Sequence, residues 1–171
     1  MIPNIILLCA KSVYLLQVFA LKQLLTSLKI LLRSRQVIKV GRNVGGDLAK
    51  ISRDFPDFQL LPREKGNLVR VIELGQLAAR KNVISDGRAS LATIAAATLH
   101  GYLSKECRSS EWSNPSLTDG QKEYVALDAY VALDIWEVLA AQAQFGIPIS
   151  VERLSNILHN ISNHSTYISV Y

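Results

Sequence analysis

The chain of 171 residues contains few cysteines and, in its first 46 residues, no acidic side chain. Cys9 and Cys107 stand in no Cys-x-x-Cys or Cys/His spacing, which excludes the disulfide-rich secreted class. We expect both to be reduced thiols of an intracellular protein, nuclear or cytoplasmic; a bridge between them is the alternative.

Long hydrophobic runs are also missing. The apolar run Ile5 to Ala10 is interrupted by Lys11 and Ser12, and no stretch reaches the roughly 20 apolar residues that a membrane span needs. The first four residues carry no charged side chain, whereas a signal peptide usually opens with positive charge. We therefore expect no membrane partner, with a membrane or secretory segment as the alternative.

The composition is that of a folded domain. Hydrophobic residues make up 49% of the chain and the net charge is +5, which excludes general disorder. The charge is unevenly spread: residues 29–53 hold seven basic residues against Asp47 alone, and residues 106–152 hold eight acidic residues against two basic ones. This pattern indicates either solvated helix faces or a basic wall for phosphates opposite an acidic region.

The hydrophobic pattern alternates between strand-like and helix-like segments and predicts an α/β fold. The first two strands are too close in sequence for a crossover, so they must form an antiparallel hairpin in a mixed sheet. Residues 1–145 are predicted to form the domain, and residues 146–171 a weakly specified tail. The predicted strands are 5–9, 13–18, 37–40 and 68–74, and the predicted helices are 21–33, 47–55, 75–80, 90–99 (with Gly101 as C-terminal cap and Tyr102 on its buried stripe) and 118–144.

The last predicted helix carries the clearest chemical signal. Asp128 lies within an almost wholly apolar stretch, and a buried carboxylate needs a donor, a base or a metal as its partner. Tyr124 lies one helical turn earlier on the same face. Such a pair can hold a metal and orient its bound water; the alternative is a structural aspartate satisfied by a hydroxyl or an arginine.

A second candidate is Asp47, which follows Gly45 and Gly46. An aspartate in the first turn of a helix is often only a partner of the helix dipole. The two glycines, however, allow the backbone to pass close to another group, which on the functional interpretation is a ligand.

These residues occur within a series of motifs in register: Lys39-Val40-Gly41 to Asp47, Ser104-Lys105 to Glu111-Trp112, Leu117-Thr118 to Gln121, and Tyr124 to Asp128-Ala129-Tyr130. Together they resemble the 3′–5′ exonuclease domain of ribonuclease D and the Werner-syndrome helicase, in the tyrosine-containing subgroup of the DEDD superfamily. The resemblance extends over about residues 5–140.

The resemblance implies a ribonuclease H-like mixed sheet flanked by helices, and hydrolysis of DNA or RNA from single-stranded or other 3′ ends to nucleoside 5′-monophosphates. In the family, four carboxylates hold two Mg²⁺ or Mn²⁺ ions. Asp47 and Asp128 match two of these ligands, and Tyr124 matches the tyrosine that orients the attacking water. The resemblance further implies nucleic-acid contacts for Lys105, Arg108 and Arg42, whereas Trp112 is expected to pack.

The other two carboxylates of the family belong to an Asp-x-Glu motif on its first strand. Because no acid precedes Asp47, we expect this strand to be missing, the domain to be N-terminally truncated and the metal site to be incomplete. Neither Glu73 nor Asp134 is expected to substitute; Asp134 lies about 240° around the helix from Asp128. Three hypotheses remain open: an exonuclease, a catalytically inactive nucleic-acid-binding module or gene fragment, and a protein-interaction module that uses an exposed sheet edge.

Overall fold

A computed structural model describes residues 5–9, 12–18, 21, 23–58, 70–104, 111–112, 114–145 and 167–169. Short strands alternate with helices, and one long helix follows the others. In chain order the elements are β1 (Ile5–Cys9), β2 (Ser12–Leu16), α1 (Thr26–Arg33), β3 (Ile38–Gly41), α2 (Val44–Asp54), β4 (Val71–Glu73), α3 (Leu74–Arg80), α4 (Leu91–Leu99), α5 (Asp119–Phe145) and β5 (Tyr167–Ser169).

The strands combine antiparallel and parallel pairing, as a mixed α/β fold requires. β1 and β2 form the predicted antiparallel hairpin, with Ile5 opposite Leu16 and Cys9 opposite Ser12. β3 pairs in parallel with β4 on one side and with β5 on the other, and β1 lies beside β5. Within the described strands, both neighbours of β3 are therefore filled, so β3 offers no free edge to a protein partner.

β5 lies in the segment for which the sequence predicts only a weakly specified tail. Its three residues pair with β3 in the register Ile38 to Tyr167 and Val40 to Ser169. The surrounding Asn/Ser-rich sequence has no strand periodicity, and a three-residue strand is below the length at which alternation is readable. Pairing with a distant strand, rather than local propensity, accounts for this element.

Two hydrophobic clusters form the core. In the first, α1 and α2 pack on Phe55 and Phe58 through fully buried leucine, isoleucine and valine side chains. In the second, α3, α4 and the apolar face of α5 cover Val40 of β3. The second cluster places α5 beside the carboxyl end of β3, where a parallel strand ends and its following loop is free to carry a site.

Two helices begin at other residues than the sequence pattern predicts. α1 starts only at Thr26, because Leu25 has an extended ψ of 135°, although the leucine stripe predicts a start near residue 21. α2 starts at Val44, so Gly45 and Gly46 belong to its first turn and do not precede it. Local periodicity does not record these boundaries, since backbone dihedrals and distant caps determine them.

The end of α4 also differs from its prediction. Ser90 is the predicted N-cap and accepts a hydrogen bond from the N–H of Thr93. The left-handed residue that ends the helix, however, is His100, with φ of 56°, and not Gly101. The chain turns away at His100, and Tyr102, predicted to be buried, is therefore 89% exposed.

Three of the seven basic residues in segment 29–53 make contacts within the protein that compete with a role in a phosphate-binding wall. Lys39 is buried and donates to the carbonyl oxygens of Ser34 and Val37, and burial lowers its pKa to about 8. Lys29 is ion-paired with Asp57, and the Arg33 guanidinium lies 5.2 Å from the centre of the Phe58 ring. Much of this charge therefore stabilises the α1–β3 region itself.

Among the helices that the structure describes, none combines the length and the apolar character that crossing a bilayer requires. The longest, α5, has several acidic residues along its 27 residues.

Candidate nucleic-acid site at α5 and β3

The start of α5 is held by the capping box that the sequence predicts. The N–H of Gln121 donates to Oγ1 of Thr118 at 3.2 Å, and the N–H of Thr118 donates to Oε1 of Gln121 at 2.9 Å. Gln121 is buried, and its Nε2 also donates to the carbonyl of Glu111 at 3.2 Å. These bonds determine where the first two turns of α5 lie and hence the positions of Tyr124 and Asp128.

Tyr124 and Asp128 lie on one side of α5, as their spacing predicts, and both are half-buried. They line a cleft of about 440 Å³ between the end of β3, the loop before α4 and the segment that follows α4. Oδ1 of Asp128 is shielded from solvent. The structure therefore brings a phenol and a carboxylate together at a concave surface large enough for a small ligand.

The ring of Trp112 packs against the ring of Tyr124. The two ring centres are 6.1 Å apart and the rings are inclined at 42°, a common geometry for an aromatic pair. Trp112 is half-buried and packs against the second hydrophobic cluster. Packing, the role expected for Trp112, agrees with these contacts.

Asp47 lies in the first turn of α2, close enough to a second carboxylate, that of Glu73, to feel its charge. Glu73, the last residue of β4, accepts hydrogen bonds from the N–H groups of Asn43 and Gly45, both at 2.8 Å. Asn43 is the left-handed residue before α2, with φ of 68°, and its own side chain makes no cap bond to the helix. Glu73 thus caps α2 from a neighbouring strand, and its charge complements the helix dipole.

The proximity of Glu73 changes the acidity of Asp47. Burial, followed by the negative charge of Glu73, raises the pKa of Asp47 to about 6, and Lys50 opposes this shift. Near neutral pH the two carboxylates repel one another. Such a pair gains from a cation or a proton placed between its members.

A contact within the protein accounts for one of the two glycines before Asp47. A Cβ on Gly46 would lie 2.5 Å from Nδ2 of Asn43, whereas a Cβ on Gly45 would lie 3.4 Å from Oε1 of Glu73, which is an ordinary contact. The close neighbour of Gly46 is therefore the side chain of Asn43.

The described residues do not assemble the complete metal site of the DEDD type. Asp128 lines the cleft, whereas Asp47, Glu73 and Asp134 do not. Among the residues that the structure describes, no three His, Cys, Asp or Glu side chains are grouped so that they could hold a metal ion. The donor set therefore fits at most a weak site, because Mg²⁺ requires near-octahedral oxygen coordination.

The three predicted nucleic-acid contacts fall in different places. Lys105 and Arg108 lie outside the described residues and stay predictions. Arg42 lines the cleft with Tyr124 and Asp128, but its Nε and Nη2 donate to the carbonyl oxygens of Ala89 and Arg88 at 2.6 and 2.7 Å. The role of Arg42 as a direct nucleic-acid contact also stays a prediction. What the structure shows is that Arg42 is hydrogen-bonded to the loop before α4.

Sequence reasoning did not assign a site role to Glu73 or Arg88. Glu73 is the second-last residue of the predicted strand 68–74 and stands two residues before Gly75, and the carboxyl ends of adjacent parallel strands meet at one edge of a sheet. That rule places Glu73 near the residues after Gly41, among them Asp47. Arg88 carries no comparable signal, because its position depends on a contact with Arg42, 46 residues away.

Comparison with known proteins identifies the class. The family described as 3′-5′ exonuclease (DNA_pol_A_exo1) matches residues 6–144, and this chain belongs to that family. The bifunctional 3′-5′ exonuclease/ATP-dependent helicase WRN of Mus musculus is 32% identical over 128 residues, which are 74% of this chain. The chain spans 8% of the length of that mouse protein.

A solved structure shows the same fold. The Aedes aegypti Nibbler EXO domain superposes with a TM-score of 0.71 at 20% identity, over 91% of this chain and 77% of that domain. The predicted ribonuclease H-like α/β class is therefore confirmed. An EXD2 exonuclease domain soaked in Mn and Mg is 22% identical over 87% of each chain, with a TM-score of 0.31.

Proposed function

We propose that this chain binds the 3′ end of single-stranded DNA or RNA in the cleft of Tyr124 and Asp128. The observation that carries the proposal is the composition of this cleft. It joins a phenol and a carboxylate from α5 with the exposed guanidinium group of Arg88 and with Arg42, whose guanidinium group holds the loop before α4. Guanidinium groups bind phosphates, and a carboxylate accepts a hydrogen bond from a sugar hydroxyl. Membership of the 3′-5′ exonuclease family supports a nucleic-acid ligand.

Hydrolysis by the family mechanism needs more carboxylates than the described part of the chain groups together. The soaking of EXD2 domains in Mn and Mg is consistent with divalent-metal use in such domains. Among the residues that the structure describes, Asp128 and the Asp47–Glu73 pair are carboxylates near the carboxyl ends of β3 and β4. A nucleic-acid-binding module without hydrolytic activity is the second candidate function, and the absence of a three-ligand group among the described residues is consistent with it.

End recognition is tested by comparing linear and circular single strands of the same sequence, as DNA and as RNA. Binding is measured by fluorescence anisotropy in EDTA, so that no digestion occurs. The linear strand should bind more tightly, and Asp128→Asn should weaken the linear strand only. Asp119→Asn, at an exposed position in the first turn of the same helix, is the matched control. Equal affinity for the two forms would overturn the proposal.

A digestion assay separates the two candidate functions. A 5′-labelled single strand is incubated with Mn²⁺, and shortening from the 3′ end is followed on a gel for the unmodified chain and for Tyr124→Phe and Asp128→Asn. A ladder that both substitutions abolish supports an exonuclease. Binding without a ladder, and without a rise in melting temperature on adding Mn²⁺, supports the inactive module.

A further inference from the structure

Arg88 lines the cleft and belongs to the loop of residues 86–89, which Arg42 holds in place. Nε of Arg42 donates to the carbonyl oxygen of Ala89 at 2.6 Å, and Nη2 donates to that of Arg88 at 2.7 Å. Arg42 is half-buried and directly follows β3. A charged donor at two carbonyl groups makes strong hydrogen bonds, so Arg42 ties the loop to the end of β3.

The loop is also held by hydrogen bonds between its own residues and by a close contact with Gly75 of α3. Oδ1 of Asp86 accepts a hydrogen bond from the N–H of Arg88 at 2.9 Å, and the N–H of Ala89 donates to the carbonyl of Asp86 at 3.0 Å. The backbone of Gly87 lies very close to Gly75. A Cβ added to Gly75 would come within 2.1 Å of the carbonyl oxygen of Gly87. The backbone of Arg88 is therefore tied at several points.

The side chain of Arg88, in contrast, is 90% exposed. It forms an ion pair with Asp86, Nε to Oδ1 at 3.2 Å, and Asp86 is itself 55% exposed. Exposed pairs of this kind contribute little to stability, so a stronger acceptor can take the guanidinium. A phosphate is such an acceptor, because it accepts two parallel N–H bonds from one guanidinium.

We infer that Arg88 binds the phosphate backbone of the single strand at the cleft, and that Arg42 is a positioning residue that presents Arg88 by fixing the 86–89 loop. Arg88 lines the same cleft as Tyr124 and Asp128, which places its charge beside the site of the proposed 3′ end. The inference rests on the proposed function for the ligand of Arg88, but the role of Arg42 is independent of that ligand.

The Arg88 assignment is tested by oligonucleotide binding at a series of salt concentrations in EDTA. Arg88→Ala should raise the Kd about tenfold for oligo(dT) and oligo(rU) alike, and reduce the slope of log K against log salt by about 0.7, the value for one single-strand phosphate. Arg80→Ala, at an exposed arginine in the last turn of α3, is the control and should leave both unchanged. An affinity and slope equal to the control would overturn the assignment.

The Arg42 assignment is tested by hydrogen exchange, which does not depend on any ligand. Arg42→Lys keeps the charge but replaces the planar guanidinium, whose Nε and Nη2 match the two carbonyl groups, with a shorter side chain that ends in a single ammonium, and Arg42→Met removes the charge. Both variants should accelerate exchange of the amides of Arg88 and Ala89 and leave those of α5 unchanged. In binding, both should raise the Kd while the salt slope stays at its original value. Unchanged exchange in the loop would overturn the positioning role.

The two failures are distinguishable. If the unmodified chain binds neither oligonucleotide, the proposed function fails and the Arg88 assignment with it, while the exchange experiment still decides the role of Arg42. If the unmodified chain binds and Arg88→Ala binds equally well, only the Arg88 assignment fails.

Discussion

The two helices that carry the candidate acids begin in different ways. α5, with Asp128, starts at a capping box whose bonds join residues three apart. α2, with Asp47, starts at a left-handed Asn43. The N–H groups of Asn43 and Gly45 donate to the carboxylate of Glu73, which is 30 and 28 residues away in the sequence. The acid of the first helix is therefore positioned by local sequence, and the acid of the second by a neighbouring strand.

This difference implies unequal sensitivity to substitution. The α5 start depends on two side chains that are only three residues apart in the sequence. The region at the ends of β3 and β4 depends on several distant contacts at once: the Glu73 cap, the Arg42 tie and the approach of Gly75 to Gly87. We expect substitutions in the second region to be the more costly, and the predictions below test this expectation from the largest effect to the smallest.

Gly75→Ala should have the largest effect. Its Cβ would lie 2.1 Å from the carbonyl oxygen of Gly87, a backbone atom that can move only if the loop moves. Overpacking of this kind costs typically 1–3 kcal/mol, and we expect the free energy of unfolding in urea to fall by about 3 kcal/mol. Gly101→Ala is the matched control, since a Cβ there meets no atom within 4 Å, and it should change stability by less than about 0.5 kcal/mol. Equal losses would refute the close approach.

Glu73→Gln should cost about 2 kcal/mol, because an amide keeps one acceptor oxygen where the carboxylate offers two to the N–H groups of Asn43 and Gly45. The loss should be smaller at pH 7.5 than at pH 5. At the higher pH the substitution also removes the repulsion between Glu73 and ionised Asp47. Glu123→Gln, exposed on α5, is the control. A pH-independent loss would contradict the coupling of the two carboxylates.

Much of the α5 side could be predicted from the sequence. The Thr118 capping box, the shared face of Tyr124 and Asp128 and the packing of Trp112 all follow from short spacings or side-chain chemistry. The Glu73 cap, the left-handed Asn43 and the Arg42 tie could not, because each joins residues that are adjacent only after the parallel strands have paired. The same reason explains why β5 was not predicted.

Asp47→Asn should alter the pH dependence of stability. The pKa of Asp47 in the folded chain is about 6, above its ordinary value of 3.8, so folding favours the protonated form. Its contribution is therefore fully present below pH 3.8 and is lost as the pH rises through 6. Because the side chain is only half-buried, we expect a loss of the order of 1 kcal/mol, measured by urea unfolding between pH 4 and 7.5. The unmodified chain should lose this free energy of unfolding relative to Asp47→Asn as the pH rises over this range. A difference in free energy that does not change with pH would exclude the raised pKa.

Thr118→Ala should have the smallest effect, although it removes the residue that begins α5. The hydroxyl accepts a bond from the N–H of Gln121 at 3.2 Å and donates one to Oε1 of Gln121 at 3.3 Å, and the exposed position lets water replace both. We expect a loss of about 0.5 kcal/mol, at the low end for an N-cap. Thr26→Ala is the control, since the start of α1 has no side-chain cap bond and should not change. Gln121 still bonds to Glu111, so Tyr124 and Asp128 should keep their places and oligonucleotide affinity should be unaltered. A loss as large as that of Glu73→Gln would show that α5 depends on its first turn as strongly as α2 depends on β4, and the contrast between the two helices would not stand.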